Sequence, residues 1–71
     1  MSNSVYKVIE LVGTSSKSWE EAARVAVETA GVHLKNLRVA EVSKLDMTVE
    51  DGKVVSYRAR IGVSFKYETN S

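Results

Sequence analysis

Four carboxylates in the second half of the chain, Glu41, Asp46, Glu50 and Asp51, are the groups best suited to hold a hard cation. Ions of that kind collect several oxygen ligands from carboxylates, carbonyls and water. Glu50 and Asp51 stand together in Glu50-Asp51-Gly52-Lys53, which is equally ordinary turn chemistry, and no EF-hand loop surrounds them. Glu41 falls by parity among apolar residues. It reads as a buried interfacial charge paired with arginine, as a ligand, or as a group exposed beyond a helix end. In a symmetric oligomer, one carboxylate repeated about an axis makes a site that no single-chain motif reveals. Arg58, Arg60 and Lys66 alternate with Ser56, Gly62 and Ser64, a face that can hold an anion or pair with acids between subunits. His33 stands alone. No nucleophile–base set, glycine-rich phosphate loop or pair of acids at useful spacing is present, so the reading is of a non-enzyme.

The elements that carry these groups follow from periodicity. Val55, Tyr57, Ala59, Ile61, Val63, Phe65 and Tyr67 alternate with polar residues, the pattern of a strand with one buried face. Upstream, Leu37, Val39, Leu45, Met47 and Val49 fall on one face, with Arg38, Lys44, Asp46 and Thr48 on the other. The two arms (strands over 37–50 and 54–67) form a hairpin turning at Glu50–Lys53. A plain two-residue turn would set Met47 opposite Ser56, so an odd loop or a bulge is required to bring Val49, Met47 and Leu45 opposite Val55, Tyr57 and Ala59. Val5–Val12 is a β-branched apolar run ending at Gly13-Thr14-Ser15-Ser16, read as a strand over 4–13 followed by a loop. Ser18-Trp19-Glu20-Glu21 fits a capping box, and Trp19, Ala22, Ala23, Ala26, Ala30 and Leu34 recur at helical spacing, predicting a helix over 18–34 with Asn36 as its stop.

The order strand, helix, strand, strand predicts an α+β fold, β-α-β-β, with strands in the order 1-3-2 and the helix on one face. Arms of ~13 residues at ~3.3 Å per residue span ~43 Å, whereas a helix of ~17 residues at ~1.5 Å spans ~25 Å. The helix cannot cover the hairpin, and another chain must bury the remainder. Totals point the same way. A chain of 71 residues is one small domain, and having no cysteine it has neither disulfides nor a Cys/His zinc site to supplement its core. Its composition, 44% hydrophobic and 27% charged, is globular. A net charge of +1 argues against a nucleic-acid binder. No signal peptide is legible at the polar start and no apolar run approaches the ~20 residues of a membrane span, so a cytoplasmic protein is expected.

Val5-Tyr6-Lys7-Val8-Ile9-Glu10-Leu11-Val12-Gly13-Thr14-Ser15, Glu21-Ala22-Ala23, Glu41-Val42, and Tyr57 leading to Val63-Ser64-Phe65-Lys66 resemble the dodecins over nearly the whole chain. The resemblance implies a three-stranded antiparallel sheet curled around one helix, and a hollow homododecamer built from trimers that stores riboflavin or FMN. Flavin-binding dodecins carry a stacking tryptophan and a glutamine that bonds the flavin ring edge. The aligned residues here are Val39 and Arg58. Valine has no π-face, and arginine has donors but no acceptor. Trp19 aligns with a family position on the helix. The substituted pair is similar to the branch called calcium dodecins, implying calcium as the ligand with flavin as the alternative, and Glu41, Asp46, Glu50 and Asp51 as candidate calcium ligands.

Overall fold

The computed structural model describes residues 3–66, so the expected last strand residue, Tyr67, lies outside the described residues. β1 (Tyr6–Ser15), α1 (Trp19–His33), β2 (Leu37–Glu50) and β3 (Lys53–Lys66) follow one another. The sheet is antiparallel with order β1-β3-β2, and α1 lies on one of its faces. Both expectations of strand order and connectivity are met.

Gly13 sets the distance between α1 and the sheet. A Cβ placed on it would fall on the carbonyl oxygen of Ala22 and within 2.9 Å of the Ala26 Cβ. This close approach is why the helix presents alanine: Ala22, Ala26 and Ala30 are its buried residues. Ala22 and Ala26 meet Ala59, Ile61 and Val63 of β3, with Ile9, Leu11, Ala23, Val27 and Leu37 packed around them. Thr14 and Ser15, expected to be loop, continue the ladder from Gly13, pairing with Arg58 and Tyr57. Backbone at Gly13 is extended enough to continue the strand, and its missing side chain serves the packing.

The helix starts as half of a capping box. The backbone N–H of Glu21 donates to Ser18 Oγ at 3.0 Å. The reciprocal partner differs from expectation, because the Ser18 N–H donates to Ser15 Oγ at 3.4 Å, not to Glu21. Ser15 also accepts from the Lys17 N–H at 2.9 Å, so one hydroxyl organises the whole β1–α1 connection. Replacing Ser18 by Ala leaves the Glu21 N–H without this acceptor and is expected to cost about 1 kcal/mol, read as a lower urea midpoint at unchanged slope. At the other end the Leu34 N–H closes on Ala30 O, and Asn36 takes a left-handed conformation (φ 65°) before β2 begins.

The hairpin turn is Asp51-Gly52 with positive φ at both residues, the primed geometry that suits strand twist. The required bulge is present: Glu50 pairs with Lys53 and Val49 with Val54, then Val55 is the extra residue before Thr48 pairs with Ser56. Met47–Tyr57 and Leu45–Ala59 oppose one another as expected, whereas Val49 opposes Val54 and not Val55.

Two further irregularities in β2 correct the face assignment. Register slips between Leu37 and Val39, and again between Val42 and Lys44. Leu37, Ala40, Val42, Leu45 and Met47 pair with Phe65, Val63, Ile61, Ala59 and Tyr57, on the face that carries the helix. Val39 and Glu41 pair with Ser64 and Gly62, on the outer face. Uniform alternation placed Val39 and Glu41 with Leu45 and Met47. Each extra residue, Arg38 and Ser43, reverses that phase. Glu41 is therefore a carboxylate of the outer face and not an ionised intruder in an apolar layer.

Size confirms that the helix covers a fraction of the sheet. The molecule measures 55 × 20 × 14 Å with a radius of gyration of 15.0 Å. A compact chain of this length has a radius of about 11 Å. Among the described residues thirteen large apolar side chains are exposed, including Val42, Leu45 and Met47 on the helix side of β2.

Candidate functional site

The outer face of the sheet is a grid of polar rows crossing β1, β3 and β2. One row contains Glu10, Gly62 and Glu41; the next Val12, Arg60 and Lys44; the next Thr14, Arg58 and Asp46. Cross-strand neighbours on one face lie close enough to interact directly. The strongest such contact is the bidentate pair of Arg58 and Asp46. Nε donates to Oδ1 at 2.7 Å and Nη2 to Oδ2 at 2.9 Å. A looser pair joins Arg60 Nη1 to Glu10 Oε1 at 3.4 Å. Beyond Asp46 and Arg58, the hydroxyls of Thr48 and Ser56 share a hydrogen bond of 2.5 Å.

The hydrogen bonds from Arg58, followed by its charge, hold the Asp46 carboxyl below its ordinary range. Arg58 is raised in turn by the same contact. A carboxyl depressed in the folded state contributes stability above its unfolded pKa of ~3.9, and that contribution disappears as pH falls through the folded value. Both side chains are about half exposed, and solvent screens the pair. Its contribution to the melting temperature is therefore expected to stay constant from pH 6 to 9 and to fade below pH ~4. Asp46→Asn, melted over the same range, lacks that acid-limb component.

Asp46 is anchored from the other side of the sheet as well. The Trp19 indole N–H donates to the Asp46 carbonyl at 3.0 Å, and its ring meets Tyr57 edge-on at 5.1 Å. Because Tyr57 is adjacent to Arg58, one helix residue steadies both ends of the pair. Sequence alignment placed Trp19 on the helix; its reach to the β2 backbone had no signal in the periodicity.

The residues singled out from sequence are dispersed within one chain. Among the described residues, no three His, Cys, Asp or Glu side chains come together as a metal-ligating group. Asp46 is engaged by Arg58, Glu50 and Asp51 are at the hairpin tip, and Glu41 lies toward the opposite end of β2. Within one copy the described carboxylates are thus not gathered into a calcium set. Val39 and Arg58 share the outer face, but the β3 partner of Val39 is Ser64, six residues from Arg58, or ~20 Å along the strand. One chain does not bring them together around a flavin. Arg58 also spends its Nε and one Nη on Asp46, leaving no acceptor at the position where the resemblance implies an amide. His33 is exposed near the helix end, in a groove with Ile9, Val25 and Thr29. No helix among the described residues is long and apolar enough to cross a membrane.

Comparison with known proteins adds a consistent set of relatives. The family model described as Dodecin matches residues 5–68. A protein called calcium dodecin from Mycobacterium tuberculosis is 48% identical over 63 residues, covering 89% of each chain. A dodecin from Thermus thermophilus is 36% identical over 64 residues, covering 90% of this chain and 93% of that one. The structure of dodecin from Streptomyces coelicolor superposes with a TM-score of 0.90 at 36% identity, covering 99% and 100% of the two chains. The crystal structure of the M. tuberculosis calcium dodecin, described as calcium-chelating with a novel calcium-binding site, gives a TM-score of 0.80 at 46% identity, covering 94% and 96%.

Proposed function

The chain belongs to the dodecin family, and from that premise we propose that it is a non-catalytic, self-assembling shell protein that binds calcium in place of flavin. The observation that carries this reading is the closed Asp46–Arg58 pair at the position where flavin-binding relatives offer an amide, with valine at the stacking position. Removing the indole face forfeits about 0.5–1.5 kcal/mol beyond burial. A guanidinium has no acceptor to offer a flavin ring, and two of its nitrogens are already committed to Asp46. The 48% identity to a protein called calcium dodecin supports the choice of ion.

Glu41, Glu50 and Asp51 are the proposed calcium ligands, with Asp46 acting mainly as the partner of Arg58. Copies related by symmetry bring these carboxylates together, since a single copy disperses them. The proposed particle is a homododecamer built from trimers, located in the cytoplasm. Twelve copies of 7.8 kDa make a particle of about 94 kDa.

Isothermal titration of calcium into EDTA-stripped particle is expected to release or absorb heat, and the melting temperature to rise with added calcium as mass action requires. Riboflavin and FMN fluorescence is expected to be unquenched at micromolar protein. A yellow preparation, or strong quenching, overturns the loss of flavin binding. Absence of both heat and melting shift overturns calcium. Light scattering at the mass of one chain overturns the assembly.

A further inference from the structure

We infer that the tip of the β2–β3 hairpin docks into an apolar trough between α1 and β2 of a second copy. The inference rests on the self-assembly proposed above and names the contact that produces it.

The trough lies on the helix side of the sheet, where Trp19, Glu20 and Ala23 face Val42 and Leu45 across about 510 Å³. Val42 is 48% exposed and Leu45 52%. It exists because the small residues Gly13, Ala22 and Ala26 draw the helix toward β1 and away from β2. The hairpin supplies the complementary piece. Past the pair of Asp46 and Arg58, beside Trp19, it continues for four more pairs and the Asp51-Gly52 turn. That is ~13 Å of two-stranded ribbon, a structure only marginally stable alone in water. Its last turn exposes Val49, Val54 and Val55.

The tip cannot fill its own trough. Leu45 of the trough pairs with Ala59, five residues from Val54 along an extended strand, or ~16 Å away. Charge also favours a second copy as the occupant. Lys53 precedes the exposed valines of the tip, and Glu20 lines the trough. Tip and trough are different patches of one chain, so each copy both gives and receives, and the contact propagates around a closed symmetric assembly.

The absence of cysteine makes the contact directly testable. The full chain carrying Ala23→Cys and Val54→Cys contains two thiols that a single chain holds too far apart to bridge. Mild oxidation is expected to give covalent multimers on a non-reducing denaturing gel, and either single variant is expected to give none through this contact. A second pair, Glu20→Cys with Lys53→Cys, places both thiols at exposed positions and guards against misfolding of the first. Multimers from either pair support the contact. An intact particle by light scattering that shows no cross-link with both pairs overturns the contact alone. A sample that scatters as a monomer overturns the assembly reading and the contact with it. Free reaction of Ala23→Cys with a bulky maleimide in the intact particle also overturns it, by showing an open trough.

Discussion

Gly13→Val is expected to leave the chain largely unfolded at 25 °C. The new Cβ falls on the Ala22 carbonyl oxygen, a helix backbone atom that cannot rotate aside. Relief requires α1 to move away from β1, which opens the contact between Ala22 and Ala26 on one side and Ala59, Ile61 and Val63 on the other. Overpacking against side chains costs about 1–3 kcal/mol, and a collision with fixed backbone exceeds that. Small domains have about 5–15 kcal/mol in total, with this one toward the lower end before assembly. Far-ultraviolet circular dichroism and a urea titration read the outcome. Gly13→Ala is expected to be intermediate, with its midpoint lowered but a cooperative transition retained. A wild-type midpoint in Gly13→Ala would contradict the steric account.

Trp19→Ala is expected to cost about 1.5–2.5 kcal/mol, roughly half of what a fully buried tryptophan loses, because the indole is only partly buried. Two separable losses contribute. The edge-on contact with Tyr57 is worth about 0.5–1.5 kcal/mol, and the bond from the indole N–H to Asp46 O about 1 kcal/mol. Trp19→Phe retains the ring and removes the donor, so it is expected to recover more than half of the loss. Equal destabilisation by Phe and Ala would assign the whole effect to the hydrogen bond. Trp19 is the principal tie between α1 and β2, and hydrogen exchange in the Ala variant is expected to rise in β2 before β3.

The element order, the strand order and the helix were legible because each has a periodic or capping signal. Alternation from Tyr57 to Phe65 is unbroken, and Ala22, Ala26 and Ala30 fall on one helical stripe. The need for a bulge near the turn followed from parity alone. Its position did not, because Val54 and Val55 are equally suited to either role. The faces of β2 were misread for a related reason. Leu37, Val39, Leu45 and Met47 share odd numbering, and nothing in Arg38 or Ser43 as residue types announces an extra position. Ser43 Oγ donates to Arg60 O at 3.1 Å across the bulge, a contact that only the folded sheet displays. At the candidate site, the substitutions at Val39 and Arg58 were visible by alignment. The partner of Arg58 was not, since Asp46 lies twelve residues away in sequence and meets it only through the register of the hairpin.

Ser43 also decides which changes of length β2 can survive. The strand is two half-strands in opposite phase, joined at this residue, and the residue keeps both halves facing correctly. Deleting Ser43 would turn one half over relative to the other. Either Val42 and Ala40 would move outward as Glu41 and Val39 turned inward, or the hairpin half would invert and carry Asp46 away from Arg58. Lineages of this fold should therefore hold the residue count of β2 around position 43 fixed.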